Sequence, residues 1–184
     1  MRHPRLFIAL EIPRDIQTSL ARSFHELDLV GSDFRRVEPR NLHITIKFLG
    51  PTPIERIADI ISALHRVAQT QRAPEMTFTH GMLIPPSRAK ALALSIQPTA
   101  SLVGLYTEVE IQLAEANIAH PERRRFTPHL TLARMRGALS SDDATRVKKW
   151  SYHLPFTAHA LTLFESTLKP TGPVYTPLTA VSLP

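Results

Sequence analysis

Two short segments of the chain, 43–46 and 129–132, repeat one pattern in which a histidine and a threonine alternate with aliphatic residues. Side chains on a β-strand point alternately to opposite faces, so the histidine and threonine of each segment share one face. The aliphatic residues then turn towards a core, and the pattern predicts two similar half-buried strands. Two imidazoles and two hydroxyls on such strands can form a metal-free site for acid–base chemistry on a phosphate. The candidate residues are His43, Thr45, His129 and Thr131.

The composition is that of a globular protein with a substantial core. The chain has 184 residues, 43% of them hydrophobic and 21% charged, which are ordinary values for this class. It contains no cysteine, which excludes disulfides, thiolate catalysis and cysteine-based metal sites. No apolar run approaches the ~20 residues that span a bilayer. The apolar stretch near the N-terminus ends at Glu11, too early for a signal peptide, so we expect a cytoplasmic protein with no membrane partner.

The net charge is +6, which favours a polyanionic partner, with nucleic acid as the first candidate. Basic residues form short clusters, and two of these precede the histidine segments. Arg40 lies three residues before His43, and the run Arg123–Arg125 ends four residues before His129. Their position favours a phosphate-binding groove over solvated loop charges.

Strand and helix patterns alternate along the chain and are separated by proline and glycine. Each half carries one histidine strand, and no segment is long or polar enough to link independent domains. We therefore predict one α+β domain over residues 1–184, pseudo-duplicated into two lobes with antiparallel sheets. Helices lie on the outside and the active site lies in the groove between the lobes. The predicted strands are 6–12, 42–49, 75–83, 90–96, 127–134, 156–168 and 174–182, and the predicted helices begin near Ile16, Thr52, Thr99 and Ser140.

Two of the predicted helices begin with capping signals. Thr52, followed by Pro53 and Glu55, predicts an N-cap, a proline at the first helical position and a capping box. Ser140 or Ser141 is predicted to cap the last helix.

Strict alternation also assigns a face to the residues that follow each histidine. It places Arg134 on the core face, unless the strand ends or bulges near Ala133, in which case Arg134 reaches the phosphate. It places Lys47 on the face of His43, where its charge would add positive potential, and Phe48 on the core face. Three further aromatic residues are expected to pack in the core or to stack on a terminal base: Phe7, Phe126 and Tyr175.

The sequence around the two segments resembles a known family. Asn41–Gly50 and Phe126–Arg134 are similar to the two HxTx signatures of the two-histidine phosphoesterase superfamily. The similarity is greatest to its bacterial and archaeal RNA 2′,3′-cyclic phosphodiesterase branch, also called 2′-5′ RNA ligase. Arg5–Leu10 resembles the opening strand of that branch, and Glu165–Leu168 with Gly172–Tyr175 resembles its closing hairpin.

The chain departs from the family pattern at three places that concern substrate contacts more than the catalytic core. Arg36 stands where the family often has a tryptophan before the first signature. The strand Ala91–Leu94 lacks an expected aromatic residue. The tripeptide 166–168 is Ser-Thr-Leu, where the family often has Ser-Arg-Leu.

The resemblance implies hydrolysis of a 2′,3′-cyclic phosphate, on an RNA 3′ end or a cyclic nucleotide, to a 2′-phosphate and a free 3′-hydroxyl. It implies His43 as proton donor and His129 as proton acceptor, roles that imidazoles suit at neutral pH. It implies that Thr45 and Thr131 bind the phosphate, and Arg134 is a further candidate. No metal, other cofactor or obligate protein partner is expected, and the protein is expected to be a monomer.

Three alternatives stay open at the level of sequence. The same residues could carry out 2′-5′ RNA ligation. A non-catalytic RNA-binding module could retain the fold, but loss of a histidine would favour that alternative and both are present. A histidine metal site would predict chelator sensitivity, and the threonine partners argue against it.

Overall fold

The computed structural model describes residues 2–170 and 172–184. This part of the chain contains nine strands and four α-helices. The strands are β1 (Arg5–Glu11), β2 (Phe34–Arg36), β3 (His43–Pro51), β4 (Glu75–Ile84), β5 (Ala91–Ile96), β6 (His129–Met135), β7 (Pro155–Thr157), β8 (Ala160–Lys169) and β9 (Gly172–Ser182). The helices are α1 (Arg14–His25), α2 (Ile57–Thr70), α3 (Ala100–Glu115) and α4 (Ser141–Lys149). None of the described helices combines the length and the hydropathy needed to cross a bilayer.

The strands pair in the order β7-β4-β5-β6-β3-β1-β8-β9, and the short β2 also pairs with β6. The order divides the sheet into two groups of four antiparallel strands. One group contains β1 and β3 together with the C-terminal hairpin of β8 and β9, and the other contains β4 to β7. The two groups meet where β3 pairs with β6, at Ile44 and Leu130. This arrangement confirms the predicted α+β fold with two antiparallel lobes.

The sheet and the helices bury one hydrophobic cluster. Helix α2 contributes a stripe at helical spacing, formed by Ile60, Leu64 and Val67, and packs against α3 and β9. Helix α4 packs against β4. That approach requires a glycine, because a Cβ atom on Gly81 would lie 2.0 Å from the backbone oxygen of Val147.

Strand β3 contains a β-bulge just after its histidine and threonine. Its pairing with β1 skips Ile46, because neighbouring residues of β1 pair with Thr45 and with Lys47. Alternation therefore resumes one residue late, so Lys47 is buried and Phe48 is 71% exposed. The faces predicted for these two residues were wrong, since strict alternation does not allow for an extra residue in the strand.

Strand β6 bulges at the equivalent position. Its pairing with β5 skips Leu132, because neighbouring residues of β5 pair with Thr131 and with Ala133. Ala133 is therefore buried, while Arg134 is exposed and shares a face with His129. The condition on which Arg134 was predicted to reach the site is met.

An ion pair compensates the burial of the Lys47 ammonium group. Its Nζ atom lies 2.8 Å from Oε2 of Glu110 on α3, and both side chains are only 9% exposed. Nζ also donates to the backbone carbonyl of His120 at 2.9 Å. The same Glu110 oxygen accepts a hydrogen bond from the backbone N–H of Glu122 at 2.8 Å. The pair thus fastens the bulge of β3 to the loop that leads towards β6.

The start of α2 differs from its prediction, whereas the start of α4 does not. Residues 54–56 form a 3-10 turn, the α-helix begins at Ile57, and neither start has a side-chain cap. Thr52 is buried, and its hydroxyl donates to the carbonyl of Gly50 at 3.1 Å instead of capping the helix. Ser140 caps α4, because its hydroxyl accepts a hydrogen bond from the backbone N–H three residues later.

The buried ion pair leads to a stability prediction. Lys47→Met leaves the Glu110 carboxylate buried without its cation, and we expect it to lower the free energy of unfolding by about 3 kcal/mol. Adding Glu110→Leu removes both charges, so the double variant should recover most of that loss. Urea unfolding measures both variants. Wild-type stability in the Lys47→Met protein would contradict the role given to the pair.

Candidate active site

The four side chains singled out in the sequence meet where the two halves of the sheet join. The antiparallel pair that connects β3 to β6 lies between the histidine and the threonine of each strand. His43 therefore lies opposite Thr131, and His129 lies opposite Thr45. The two histidines occupy one diagonal of this group. The Cα atoms of such diagonal neighbours on adjacent strands are usually about 7–8 Å apart.

The backbone fixes the same ring orientation for both imidazoles. Nδ1 of His43 donates to the carbonyl oxygen of Asn41 at 2.7 Å, and Nδ1 of His129 donates to the carbonyl oxygen of Thr127 at 2.8 Å. A carbonyl oxygen can only accept, so each Nδ1 carries a proton and Nε2 is the nitrogen left for chemistry. In both cases the acceptor is two residues before the histidine.

A cavity of about 660 Å³ lies over this group of side chains, within the range of small-molecule sites. His43, His129 and both threonines line it. The two residues that the bulges expose, Phe48 and Arg134, also line it. Strict alternation does not predict Phe48 here, but its position five residues after a histidine, matching that of Arg134, is a signal that could have found it.

Aromatic rings hold His43 in place on the side away from its partner strand. Phe7 is buried, and its ring centroid lies 4.9 Å from that of His43. Phe164 stacks on Phe7 at 5.2 Å, and Tyr175 meets the imidazole edge-on at 5.1 Å. Phe7 is therefore a core residue that also lines the cavity, as Tyr175 does. Phe126 lies outside this cavity and stacks on Tyr106.

Burial lowers the pKa of His43 to about 4, well below its ordinary value of 6.5. The positive charges of Arg134 and His129 lower this pKa further, and the hydrogen bond to Asn41 opposes the change. At neutral pH His43 is therefore a neutral imidazole whose Nε2 accepts hydrogen bonds. An anion in the cavity would offset the neighbouring positive charges and raise this pKa.

Positive charge collects along the rim next to Arg134. Arg35 on β2 pairs with Arg134 on β6, and both, with Arg36, line a small recess beside Tyr175. The guanidinium group of Arg35 lies against Gly172, so that a Cβ atom there would be 2.0 Å from Nη1. The C-terminal hairpin thus closes over Arg35. Lys47, which the sequence predicted at the site, instead lies in the core.

The conventional metal-ligand side chains do not gather at this site. Across residues 2–170 and 172–184, no group of three histidine, aspartate or glutamate side chains is placed to hold a metal ion.

The lowered pKa of His43 predicts a pH-dependent stability. Below about pH 6.5 the unfolded chain protonates this imidazole, whereas the folded protein does not until about pH 4, so stability falls as the pH falls through this window. Between about pH 7.5 and about pH 5 the wild type should lose about 2 kcal/mol more than His43→Gln, which cannot titrate. Urea unfolding at the two pH values measures the difference. Equal losses would show that the site does not disfavour the imidazolium.

Comparison with known proteins finds relatives that match nearly the whole chain. The curated RNA 2′,3′-cyclic phosphodiesterase of Thermus thermophilus is 32% identical over 97% of this chain and 90% of its own length. That of Escherichia coli is 28% identical, with 95% and 93% covered. The crystal structure of TT0787 from Thermus thermophilus superimposes with a TM-score of 0.84 at 25% identity, covering 97% of each chain. Escherichia coli LigT, crystallised with NADP+, shares the fold at a TM-score of 0.78 and 24% identity, with 100% and 99% covered.

A family model gives the same assignment independently of any single relative. The model of the 2′-5′ RNA ligase superfamily matches residues 16–169, a stretch that contains both histidine strands and the two bulges. By these matches, the chain belongs to the 2′-5′ RNA ligase superfamily.

Proposed function

We propose that this protein is an RNA 2′,3′-cyclic phosphodiesterase. It opens the 2′,3′-cyclic phosphate at the 3′ end of an RNA, leaving a 2′-phosphate and a free 3′-hydroxyl. The observation that carries the proposal is the diagonal pair of Nε2 atoms, His43 and His129, each beside the threonine of the other strand. Curated relatives of nearly the same length are named for this activity.

The reaction is an in-line displacement at phosphorus. A water oxygen bonds to phosphorus on one side while the bond from phosphorus to the ribose O3′ breaks on the other. The water gives up a proton to Nε2 of His129, and the departing O3′ receives one from Nε2 of His43. These roles follow the family resemblance. Two nitrogens on a diagonal can face opposite sides of one bound phosphate, which is what an in-line reaction requires.

His43 must be protonated when the 3′ oxygen departs, although burial lowers its pKa. The cyclic phosphate carries one negative charge, which pairs with Arg134 and faces both imidazoles. Substrate binding therefore removes part of the repulsion that lowers the pKa of His43 and favours its imidazolium form. Substrate binding thus helps to protonate the group that donates to O3′, His43.

The remaining polar groups hold the phosphate during the reaction. The hydroxyls of Thr45 and Thr131 can donate to the non-bridging oxygens, where charge rearranges in the transition state. The guanidinium group of Arg134 adds a fixed positive charge beside them. A buried Lys47, neutralised by Glu110, contributes no charge to the cavity.

Ligation is the second candidate reaction, because the superfamily is named for 2′-5′ RNA ligases. In that reaction the 5′-hydroxyl of another RNA takes the place of water, or a 2′-5′ linkage is cleaved in the reverse direction. The same two histidines serve both reactions. An assay that offers a 5′-hydroxyl oligonucleotide alongside water separates them by product.

We further propose that the protein is a monomer and is located in the cytoplasm. Both histidines, both threonines and Arg134 come from one chain, so the site is complete without a second copy. The absence of cysteine suits a reducing compartment.

Turnover of a cyclic-phosphate RNA end tests the proposed function. We expect a 2′-phosphate product, activity that survives a chelator, and losses in kcat of at least about 100-fold in His43→Ala and in His129→Ala. His65→Ala, on the exposed face of α2, is the matched control and should keep wild-type activity. Chromatography of the nucleotide products measures all three variants. Full activity in His129→Ala would rule out the two-histidine mechanism, and RNA binding without turnover would support the non-catalytic module instead.

A further inference from the structure

A second groove adjoins the active-site cavity and has no part in the reaction just described. Its volume is about 320 Å³. Three residues line both spaces: Thr45, Phe48 and His129. The two spaces therefore adjoin, with the exposed ring of Phe48 on their shared border.

Aromatic rings form one side of the second groove. Tyr106 on α3 and Phe126, before β6, stack with centroids 4.1 Å apart and an angle of 8° between their planes. Both are half-buried, and part of the stack faces the groove. Phe48 stands at the entrance and is 71% exposed. Flat aromatic faces beside a basic groove are the surfaces on which unpaired bases stack.

Two arginines line the same groove. Arg124 is held by Glu122, whose carboxylate lies 3.1 Å from its guanidinium group. Arg125 is exposed and forms no ion pair among residues 2–170 and 172–184. The loop that carries them is tied to Glu110 through the backbone N–H of Glu122. The groove therefore offers one uncompensated cation, enough to face a single phosphodiester, at a position set by the fold.

We propose that the second groove binds the nucleotide immediately 5′ to the cyclic phosphate. This inference rests on the proposed function. A cyclic phosphate closes the 3′ end of an RNA, so the rest of the chain continues from the terminal nucleotide in the 5′ direction only. The base of the preceding nucleotide stacks against Phe48 or the Tyr106–Phe126 pair, and the phosphodiester between the two nucleotides faces Arg125. The preferred substrates are then RNA ends of two or more nucleotides, not cyclic mononucleotides.

A comparison of two substrates with the same terminal base tests the inference. The ratio measured is kcat/KM for a cyclic-phosphate dinucleotide divided by kcat/KM for the cyclic mononucleotide. We expect this ratio to exceed one in the wild type and to fall about fivefold in the Arg124→Ala, Arg125→Ala double variant. Plotted against the logarithm of the salt concentration, the logarithm of this ratio should fall with a slope of about −0.7, the value for one phosphate contact. In the double variant the ratio should not depend on salt.

The control removes the same charge elsewhere. Lys148→Ala with Lys149→Ala neutralises two exposed lysines of α4, which line neither space, and should leave the ratio unchanged. Turnover of both substrates with a ratio of one, or a ratio that the arginine variant does not change, overturns the inference and leaves the proposed function standing. Turnover of neither substrate overturns both.

Discussion

The pairing of β3 with β6 is the contact on which the site depends. Each half of the sheet supplies one histidine and one threonine, and neither half alone can place two imidazoles around a phosphate. The pair that joins them, Ile44 with Leu130, is buried on the opposite face. Burial of these two aliphatic side chains fixes the register, because a slip of one residue would turn them outwards and the polar groups inwards.

The matched bulges extend this arrangement by one residue on each strand. They bring Phe48 and Arg134 onto the site face, an aromatic ring from one half and a cation from the other. Each bulge also turns one residue into the core. Ala133 is apolar and fits there, whereas the Lys47 ammonium group needs the Glu110 carboxylate to neutralise it. That ion pair also positions the 120–122 loop, so the bulge that shapes the active site is connected to the second groove.

Much of the site could be predicted from local sequence because alternation on a strand is a local property. It grouped His43 with Thr45 and His129 with Thr131, and the structure places all four at one cavity. The bulges depend on pairing with distant strands, so alternation alone could not reveal the exchanged faces of Lys47 and Phe48. The same limit applies to the make-up of the lobes, where the C-terminal hairpin joins β1 and β3. The three-residue strand β2 carries too short a pattern to be predicted, and the predicted strand 156–168 consists of two strands, β7 and β8.

The central claim is that one imidazole protonates the leaving 3′ oxygen while the other activates water. Replacing the bridging 3′ oxygen of the cyclic phosphate by sulfur tests it most directly, because a thiolate leaves without needing a proton. We predict that the kcat deficit of His43→Ala, about 100-fold or more with oxygen, shrinks to within about tenfold with sulfur. The deficit of His129→Ala should not change. Equal deficits for both variants with both substrates, or rescue of His129→Ala instead, would contradict the assignment.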